Sequence, residues 1–124
     1  MYNISMKIEK TYTANIYVGL MPGYDKPDID FVQRRKIVKD ICQSYCDKHG
    51  LGLTITDTEF VYTDGGEKGV VIGLINYPRF PKNEREIMDL ARGIVHLIMT
   101  LTEQKRISVV YPDLTIMYEK EDFS

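Results

Sequence analysis

Side chains suited to binding a small ligand are densest around one predicted helix in the second half of the chain. Arg79 and Phe80 come just before this helix, and Asn83 opens it. Arginine can bind a phosphate through two parallel hydrogen bonds, and an aromatic ring can stack on a base. The free N–H groups at a helix N-terminus also favour anions. These residues therefore predict a site for a small anionic ligand that carries a base.

Further charged residues follow along the same helix. Arg85, Asp89, Arg92 and His96 are spaced four, three and four residues apart, so they share one polar face. The other interpretation is an ordinary solvated face, in which Arg85 and Asp89 form a surface pair contributing about 0.2–0.5 kcal/mol. Arg106 follows the helix and could reach the site from a second subunit. The predicted ligand-binding residues are Arg79, Phe80, Asn83, Arg85, Asp89, Arg92 and Arg106.

Two other groups contain residue types used in metal binding or catalysis. Cys42, Cys46 and His49 lie along one helical face. Structural zinc sites normally need four ligands, so small core cysteines are the favoured interpretation. Glu59 and Asp113 lie near strand ends and could act as an acid/base pair, but solvent-facing strand-end positions are the favoured interpretation. We therefore predict no catalytic residue, no metal and no cofactor.

Motifs of known enzyme classes are absent from the sequence. It contains no G-x-S-x-G, no phosphate-binding P-loop and no H-E-x-x-H. Ser44 and Ser108 have no histidine and acid partners nearby in sequence, although such triads also assemble in space. The chain is therefore predicted not to be an enzyme.

Composition indicates one small globular domain that does not bind long nucleic acids. The 124 residues are 44% hydrophobic and 27% charged, and 16 basic against 18 acidic residues give a net charge of -2. Binding along a phosphate backbone normally requires a basic surplus. A small anion needs only a few arginines. Four of the six arginines flank the second predicted helix.

Composition also predicts a cytoplasmic protein. The first residues lack the basic start and apolar stretch of a signal peptide, and no apolar run is long enough to span a membrane. Two cysteines are too few to cross-link a chain of this size, which fits a reducing compartment. We expect a single domain over residues 1–124, with a frayed polar tail at 119–124.

The hydrophobic pattern predicts the elements that position these residues. Apolar and polar residues alternate from Ile8 to Leu20, which predicts a first strand, and a loop follows over 21–27. Asp30 and Gln33 form a predicted capping box for the first helix, which Gly50 ends. Strands are predicted over 51–63 and 69–77, joined by a turn over 64–67.

The second predicted helix carries two apolar stripes. It opens with a capping box of Asn83 and Glu86. The second stripe, formed by Met88, Val95 and Met99, is either a wide contact with the core or a helix–helix interface between subunits. Short strands over 107–110 and 114–118 complete the chain. The first stripe is predicted to face the core and comprises Ile87, Leu90, Ala91, Ile94, Leu97, Ile98 and Leu101.

The element order is β-α-β-β-α-β with an extra strand. This order is typical of the ferredoxin-like fold, an antiparallel sheet with both helices on one face. Residues 69–77 have two apolar faces, as a central strand does. Because the helices cover only one face, Val71, Ile75 and Tyr77 need another cover. A second subunit is the simplest one, so a homodimer or higher homo-oligomer is predicted.

Several stretches of the chain resemble a known family. They are residues 17–20 (YVGL), 58–66 (TEFVYTDGG), 75–81 (INYPRFP) and 112–118 (PDLTIMY). Together they are similar to phage Thoeris anti-defence proteins of the first type. Proteins of this family are sponges, which bind the cyclic ADP-ribose signal made by bacterial TIR-domain enzymes and sequester it without cleaving it.

The resemblance implies a sponge for a cyclic ADP-ribose isomer, which blocks Thoeris immunity in the host bacterial cytoplasm. It further implies dimers or higher assemblies with pockets at subunit interfaces. Phe80 would then stack on the base, and Arg106 would bind a phosphate. Two alternatives remain open. One is a small hydrolase acting on a cyclic nucleotide or phosphate ester, and the other is a regulatory module that binds a protein.

Overall fold

The computed structural model describes residues 3–21 and 31–121, which form a five-stranded sheet and two helices. The strands lie in the order β2-β3-β1-β4-β5, and each neighbouring pair is antiparallel. The predicted α+β class is therefore confirmed. In chain order the elements are β1 (Thr13–Gly19), α1 (Phe31–His49), β2 (Leu53–Tyr62), β3 (Gly65–Ile75), α2 (Glu84–Thr102), β4 (Arg106–Val110) and β5 (Thr115–Glu119).

One face of the sheet forms the core. Ile16 of β1 and Ile72 of β3 lie directly opposite each other and are fully buried. Val38 of α1 and Ile94 of α2 join them in the same hydrophobic cluster. Because side chains alternate across a strand, the odd-numbered residues of β1 point the other way. We call the face that they form, turned away from this core, the open face.

The start of α2 and the end of α1 lie within the described residues, and both are as predicted. The Asn83 side chain accepts a hydrogen bond from the Glu86 N–H at 2.8 Å, and the Glu86 carboxylate accepts one from the Asn83 N–H at 3.2 Å. Gly50 follows α1 with a φ of 60°, and its N–H donates to the Cys46 carbonyl. The loop over 22–27, Asp30 of the first capping box and residues 122–124 of the tail lie outside the described residues.

The first strand is shorter than predicted. β1 begins at Thr13, whereas Ile8 precedes it in an extended segment and is 80% exposed. Thr13 pairs with Ile75, the last residue of β3. The chain then turns away at Pro78, because proline cannot donate to a ladder. Residues before Thr13 therefore have no strand to pair with on that side, despite their alternating pattern.

The turn between β2 and β3 is tighter than predicted. Tyr62 pairs with Gly65, so Thr63 and Asp64 alone make the turn, and Asp64 adopts a left-handed φ of 61°. The predicted turn over 64–67 is wrong beyond Asp64. As a consequence, Glu67 is a strand residue with a defined direction.

The core face of α2 is wider than the predicted stripe. Five of the seven predicted core residues are buried, and the exceptions, Leu97 and Leu101, are 40% and 55% exposed. Val95 and Met99 are buried as well, and Met88 packs against the core cluster. The helix is therefore rotated slightly towards the second apolar stripe and buries residues of both, which favours the wide core contact over a subunit interface. Within residues 3–21 and 31–121, neither helix has the length and apolar character needed to cross a membrane.

Candidate functional site

Two glycines of the open face lie beneath neighbouring side chains. Gly19 of β1 and Gly69 of β3 lie directly opposite each other. A Cβ at Gly69 would collide with the Val18 carbonyl oxygen and with the Phe60 ring, so this position needs glycine. A Cβ at Gly19 would meet the Glu67 carboxylate, which lies directly over it.

Glu67 places a partly buried carboxylate beside these glycines. It lies two residues before Gly69 on β3, so its side chain is on the open face. The Met21 N–H donates a hydrogen bond to Glu67 Oε2 at 3.2 Å. Burial raises the pKa of Glu67, and the hydrogen bond from Met21 partly opposes this rise. Removal of water makes such a carboxylate a good partner for a cation.

Two aromatic rings border the carboxylate. Phe60 lies directly opposite Glu67 on β2, and its ring covers Gly69. Tyr17 approaches the Phe60 ring edge-on, with the ring centroids 6.4 Å apart. We call the group Tyr17, Gly19, Phe60, Glu67 and Gly69 the Glu67 hollow. Its rings can stack on a purine or contact a cation.

A second glycine position on the open face is surrounded by neutral polar groups. Gly73 lies between Asn15 of β1 and Thr54 of β2 in the sheet register. A Cβ built at Gly73 would be 2.7 Å from Thr54 Oγ1 and 3.4 Å from Asn15 Oδ1. The open face thus has a charged aromatic end at Glu67 and a neutral polar end at Gly73.

Part of the predicted ligand site is brought together at the start of α2. The Arg79 guanidinium lies 5.3 Å from the centre of the Phe80 ring, which itself contacts the Tyr77 ring. Asn83 and Arg85 line a cleft of about 710 Å³ between the start of α2 and residues 9–12. The Asn83 side chain already caps the helix, so its oxygen is occupied.

The remaining predicted residues form exposed ion pairs. Asp89 contacts Arg92 at 3.1 Å and Arg85 at 3.8 Å. Arg106 pairs with Glu119 at 2.9 Å. Arg106 lies beyond the opposite end of α2, whose 19 residues span about 28 Å at 1.5 Å per residue. A single chain therefore does not bring Arg106 to Phe80.

Cys42 lies in the core and Cys46 beside it. Burial raises the pKa of Cys42 to about 12, and burial also raises the pKa of Cys46. Raised pKa values make both thiols poor nucleophiles. Among the described residues, no three potential ligands converge on a common point. Glu59 and Asp113 also lie apart, on β2 and in the β4–β5 turn respectively.

The Glu67 hollow was missed because Glu67 was assigned to a turn. Once the hairpin is tightened by three residues, Glu67 faces the same side as Gly69, Val71 and Gly73. The available signal was the presence of two glycines, Gly69 and Gly73, on one face of an otherwise apolar strand. Glycine inside a strand marks a bulge or a close approach to the backbone.

Comparisons with known proteins give solved structures of similar fold. No family model matches the chain, and no curated protein matches its sequence. A phage SAM lyase in its apo state aligns with a TM-score of 0.75 and 17% identity, covering 98% of this chain and 100% of that one. A phage SAM lyase in complex with S-methyl-5'-thioadenosine aligns at 0.69 and 15% identity, covering 99% and 100%. At such identities the likeness establishes a shared fold.

These structures contradict the predicted function. Both of these structures, which align over nearly the whole chain, are of phage SAM lyases, and one of them is in complex with S-methyl-5'-thioadenosine. The predictions of a Thoeris sponge for cyclic ADP-ribose and of a chain that is not an enzyme were therefore wrong. The hydrolase and protein-binding alternatives gain no support either. The predicted resemblance to the Thoeris family itself is not tested by any match.

Proposed function

We propose that the chain is a lyase that cleaves S-adenosylmethionine (SAM) and releases S-methyl-5'-thioadenosine. The Glu67 hollow carries this proposal, because it combines a partly buried carboxylate with two aromatic rings on the open face. The full-length fold likeness to a SAM lyase bound to that nucleoside supports it. SAM has the matching chemistry, since it contains a purine, a positively charged sulfonium and an ammonium group.

The proposed reaction breaks the bond between the sulfonium sulfur and the γ carbon of the amino-acid portion. The bonding electron pair goes to sulfur, which becomes the neutral thioether of S-methyl-5'-thioadenosine. Because a lyase adds no water, the new bond at the γ carbon must come from within the four-carbon fragment itself. Either its own carboxylate oxygen forms the new bond, or a proton leaves the neighbouring carbon as a double bond forms.

Glu67 is assigned the role of holding a cationic group of the substrate. Positive charge on sulfur disappears during the reaction, so a carboxylate paired with it stabilises the bound substrate more than the transition state. Its main contribution is therefore to substrate affinity. Tyr17 and Phe60 are assigned to the adenine, because base stacking on aromatic rings contributes about 1–3 kcal/mol per base. Asn15 and Thr54 offer hydrogen bonds to the polar end of the molecule.

The test is incubation of the purified protein with SAM, followed by separation of the products by liquid chromatography and mass spectrometry. We expect S-methyl-5'-thioadenosine to form much faster than in buffer alone. S-Adenosylhomocysteine is the matched control, since its neutral sulfur is a poor leaving group and it should stay intact. Formation at the buffer rate would contradict the proposal.

Labelled water separates a lyase from a hydrolase. A hydrolase would give homoserine whose γ hydroxyl carries the heavy oxygen of the water. A lyase gives a product whose γ carbon bears no oxygen from the solvent. The absence of label at that carbon is therefore the expected result, and its presence would replace the lyase with a hydrolase of the same substrate.

Three finer predictions remain part of this proposal. The order β2-β3-β1-β4 supports a ferredoxin-like arrangement to which β5 adds an edge strand. Exposed Ile75 and Tyr77 on and beside the open face support a homo-oligomer. A cytoplasmic location fits the two free cysteines. The predicted residues near Phe80 remain the competing location for the ligand.

A further inference from the structure

The segment before β1 exposes apolar side chains in a regular row. Residues 3–11, which we call the arm, belong to no strand or helix of the described structure. Ile4, Met6 and Ile8 alternate with polar residues and are 86%, 82% and 80% exposed. An alternating row of this kind is the pattern of a strand with one buried face. The arm has the sequence pattern of a strand, but it pairs with no strand in the described part of the chain.

The arm leaves its own sheet next to the start of α2, where Lys10 pairs with Glu84 at 3.6 Å. β1 lies in the middle of the sheet, with β3 on one side and β4 on the other. Asn76 fixes the base of the arm, since its side chain donates to the Lys10 carbonyl at 2.9 Å and its N–H donates to the Tyr12 carbonyl at 3.0 Å. An arm that leaves from the central strand is separated from both sheet edges by whole strands.

The edge formed by β5 has the features that would accept such an arm. β5 pairs with β4 on one side, and its other side is an edge of the sheet. Leu114, Ile116 and Tyr118 form an apolar row with the same two-residue spacing as the arm, and all three are partly or largely exposed. The corresponding row at the other edge, on β2, is interrupted by Asp57 and Glu59.

We propose that the arm of one copy pairs with the β5 edge of a second copy and extends its sheet by one strand. Ile4, Met6 and Ile8 then cover the row of Leu114, Ile116 and Tyr118. Strand addition at a free edge satisfies the backbone groups of both segments. A second copy is the occupant because each chain carries both the arm and its acceptor, so the exchange closes into a symmetric assembly.

The polar side of the arm fits the same arrangement. If the apolar row faces the core of the second copy, Lys7 faces its open side, where β5 presents Met117 and Glu119. Glu119 already pairs with Arg106 at 2.9 Å, so Lys7 would join that ion pair. This orientation defines which residues of the two copies should come into contact across the new strand pair.

The test uses variants that each carry one added cysteine besides Cys42 and Cys46, mixed in equal amounts and oxidised. Lys7→Cys mixed with Met117→Cys should give a covalent dimer on a non-reducing gel. Only contact between different molecules can produce that product. Lys7→Cys mixed with Thr56→Cys is the matched control, because Thr56 is exposed on the open face of the opposite edge strand β2. Each variant oxidised alone sets the background from Cys42 and Cys46.

A signal from the Met117 mixture that is several-fold above background and above the Thr56 mixture supports the proposal. Equal signals, or a stronger signal from the Thr56 mixture, would overturn it. Met6→Glu in the Lys7→Cys chain provides a second readout, since a charge in the apolar row should abolish the cross-link. Because Met6 is exposed, this change does not disturb the core, and a cross-link that persists would also overturn the proposal.

Discussion

Glu67 has the most distinctive environment of the carboxylates in the described part of the chain. Its burial beside Gly19 disfavours the charge, and the Met21 N–H donates a hydrogen bond to the carboxylate. A partly buried carboxylate of this kind destabilises the folded protein, and in the proposed function a cationic substrate offsets that cost.

Glu67→Gln should weaken binding of SAM and leave the fold intact. Glutamine keeps an acceptor for the Met21 N–H but lacks the charge that pairs with the substrate. We expect KM to rise roughly 10–150-fold, as for loss of a hydrogen bond to a charged group, with a smaller change in kcat. Steady-state release of S-methyl-5'-thioadenosine provides the measurement. Glu59→Gln on β2 is the control, and an equal effect of both changes would contradict the assignment.

The same substitution should stabilise the protein in a pH-dependent way. Because the pKa of Glu67 is raised in the folded state, its favourable contribution to stability is present at low pH and is lost as the pH rises through the folded pKa. Neutral glutamine avoids that loss. Thermal denaturation should therefore show a higher Tm for Glu67→Gln than for the wild type at pH 7, with the difference shrinking towards pH 4. A difference that grows on acidification would contradict the buried setting.

Phe60 and Phe80 distinguish the two candidate locations of the ligand. Removing a stacking ring should cost about 1–3 kcal/mol, or roughly 5–150-fold in affinity. Phe60→Ala should show this loss and Phe80→Ala should show much less. Phe60→Leu keeps apolar cover over Gly69 and tests the aromatic ring alone. If Phe80→Ala raises KM and Phe60→Leu does not, the ligand lies near the start of α2 as the sequence predicted.

At the scale of elements, α2 shows how far a hydrophobic pattern specifies packing. The period of the apolar residues predicted the helix, and Asn83 and Glu86 predicted its start. The pattern did not determine the rotation of the helix about its axis, because two apolar stripes overlap along it. The core takes residues from both stripes, including Ile94 and Val95, and it leaves Leu97 and Leu101 exposed. Tertiary contacts, which the sequence does not display, decide such cases.

Ile94 and Leu97 provide the test of this rotation. Ile94 is fully buried, so Ile94→Ala should lower the free energy of unfolding by about 2–5 kcal/mol through lost burial and a cavity. Leu97 is 40% exposed, and Leu97→Ala should cost well under half as much. Urea denaturation measures both values. Equal losses would place Leu97 in the core and contradict the observed rotation.

The β2–β3 hairpin shows the same limit of prediction from sequence, at the position of Glu67. The glycine-rich stretch after Tyr62 correctly predicted a reversal of the chain, but not its length. A two-residue turn makes Glu67 a strand residue whose side chain lies on the open face. In a longer turn Glu67 would belong to the loop, and its side chain would have no defined face. The predicted residues around α2 followed from charge spacing along a single element. The Glu67 hollow joins three strands, so its signal is divided among Tyr17, Phe60 and Gly69, which are distant in sequence.

For the molecule as a whole, the sheet separates two tasks. One face packs both helices and supplies the core, and the open face carries the proposed ligand site. The arm and the β5 edge include none of the residues of the Glu67 hollow, so the proposed exchange between copies would not compete with it for the same residues. The cross-linking experiment and the SAM-cleavage experiment can therefore fail independently of each other.

Release of S-methyl-5'-thioadenosine from SAM is the measurement that tests the central claim most directly. The purified wild-type protein should release it far faster than buffer, leave S-adenosylhomocysteine intact, and lose most of this activity at limiting SAM when Glu67 is changed to Gln. Release by the wild type at the buffer rate, with the protein folded and SAM in excess, would contradict the account.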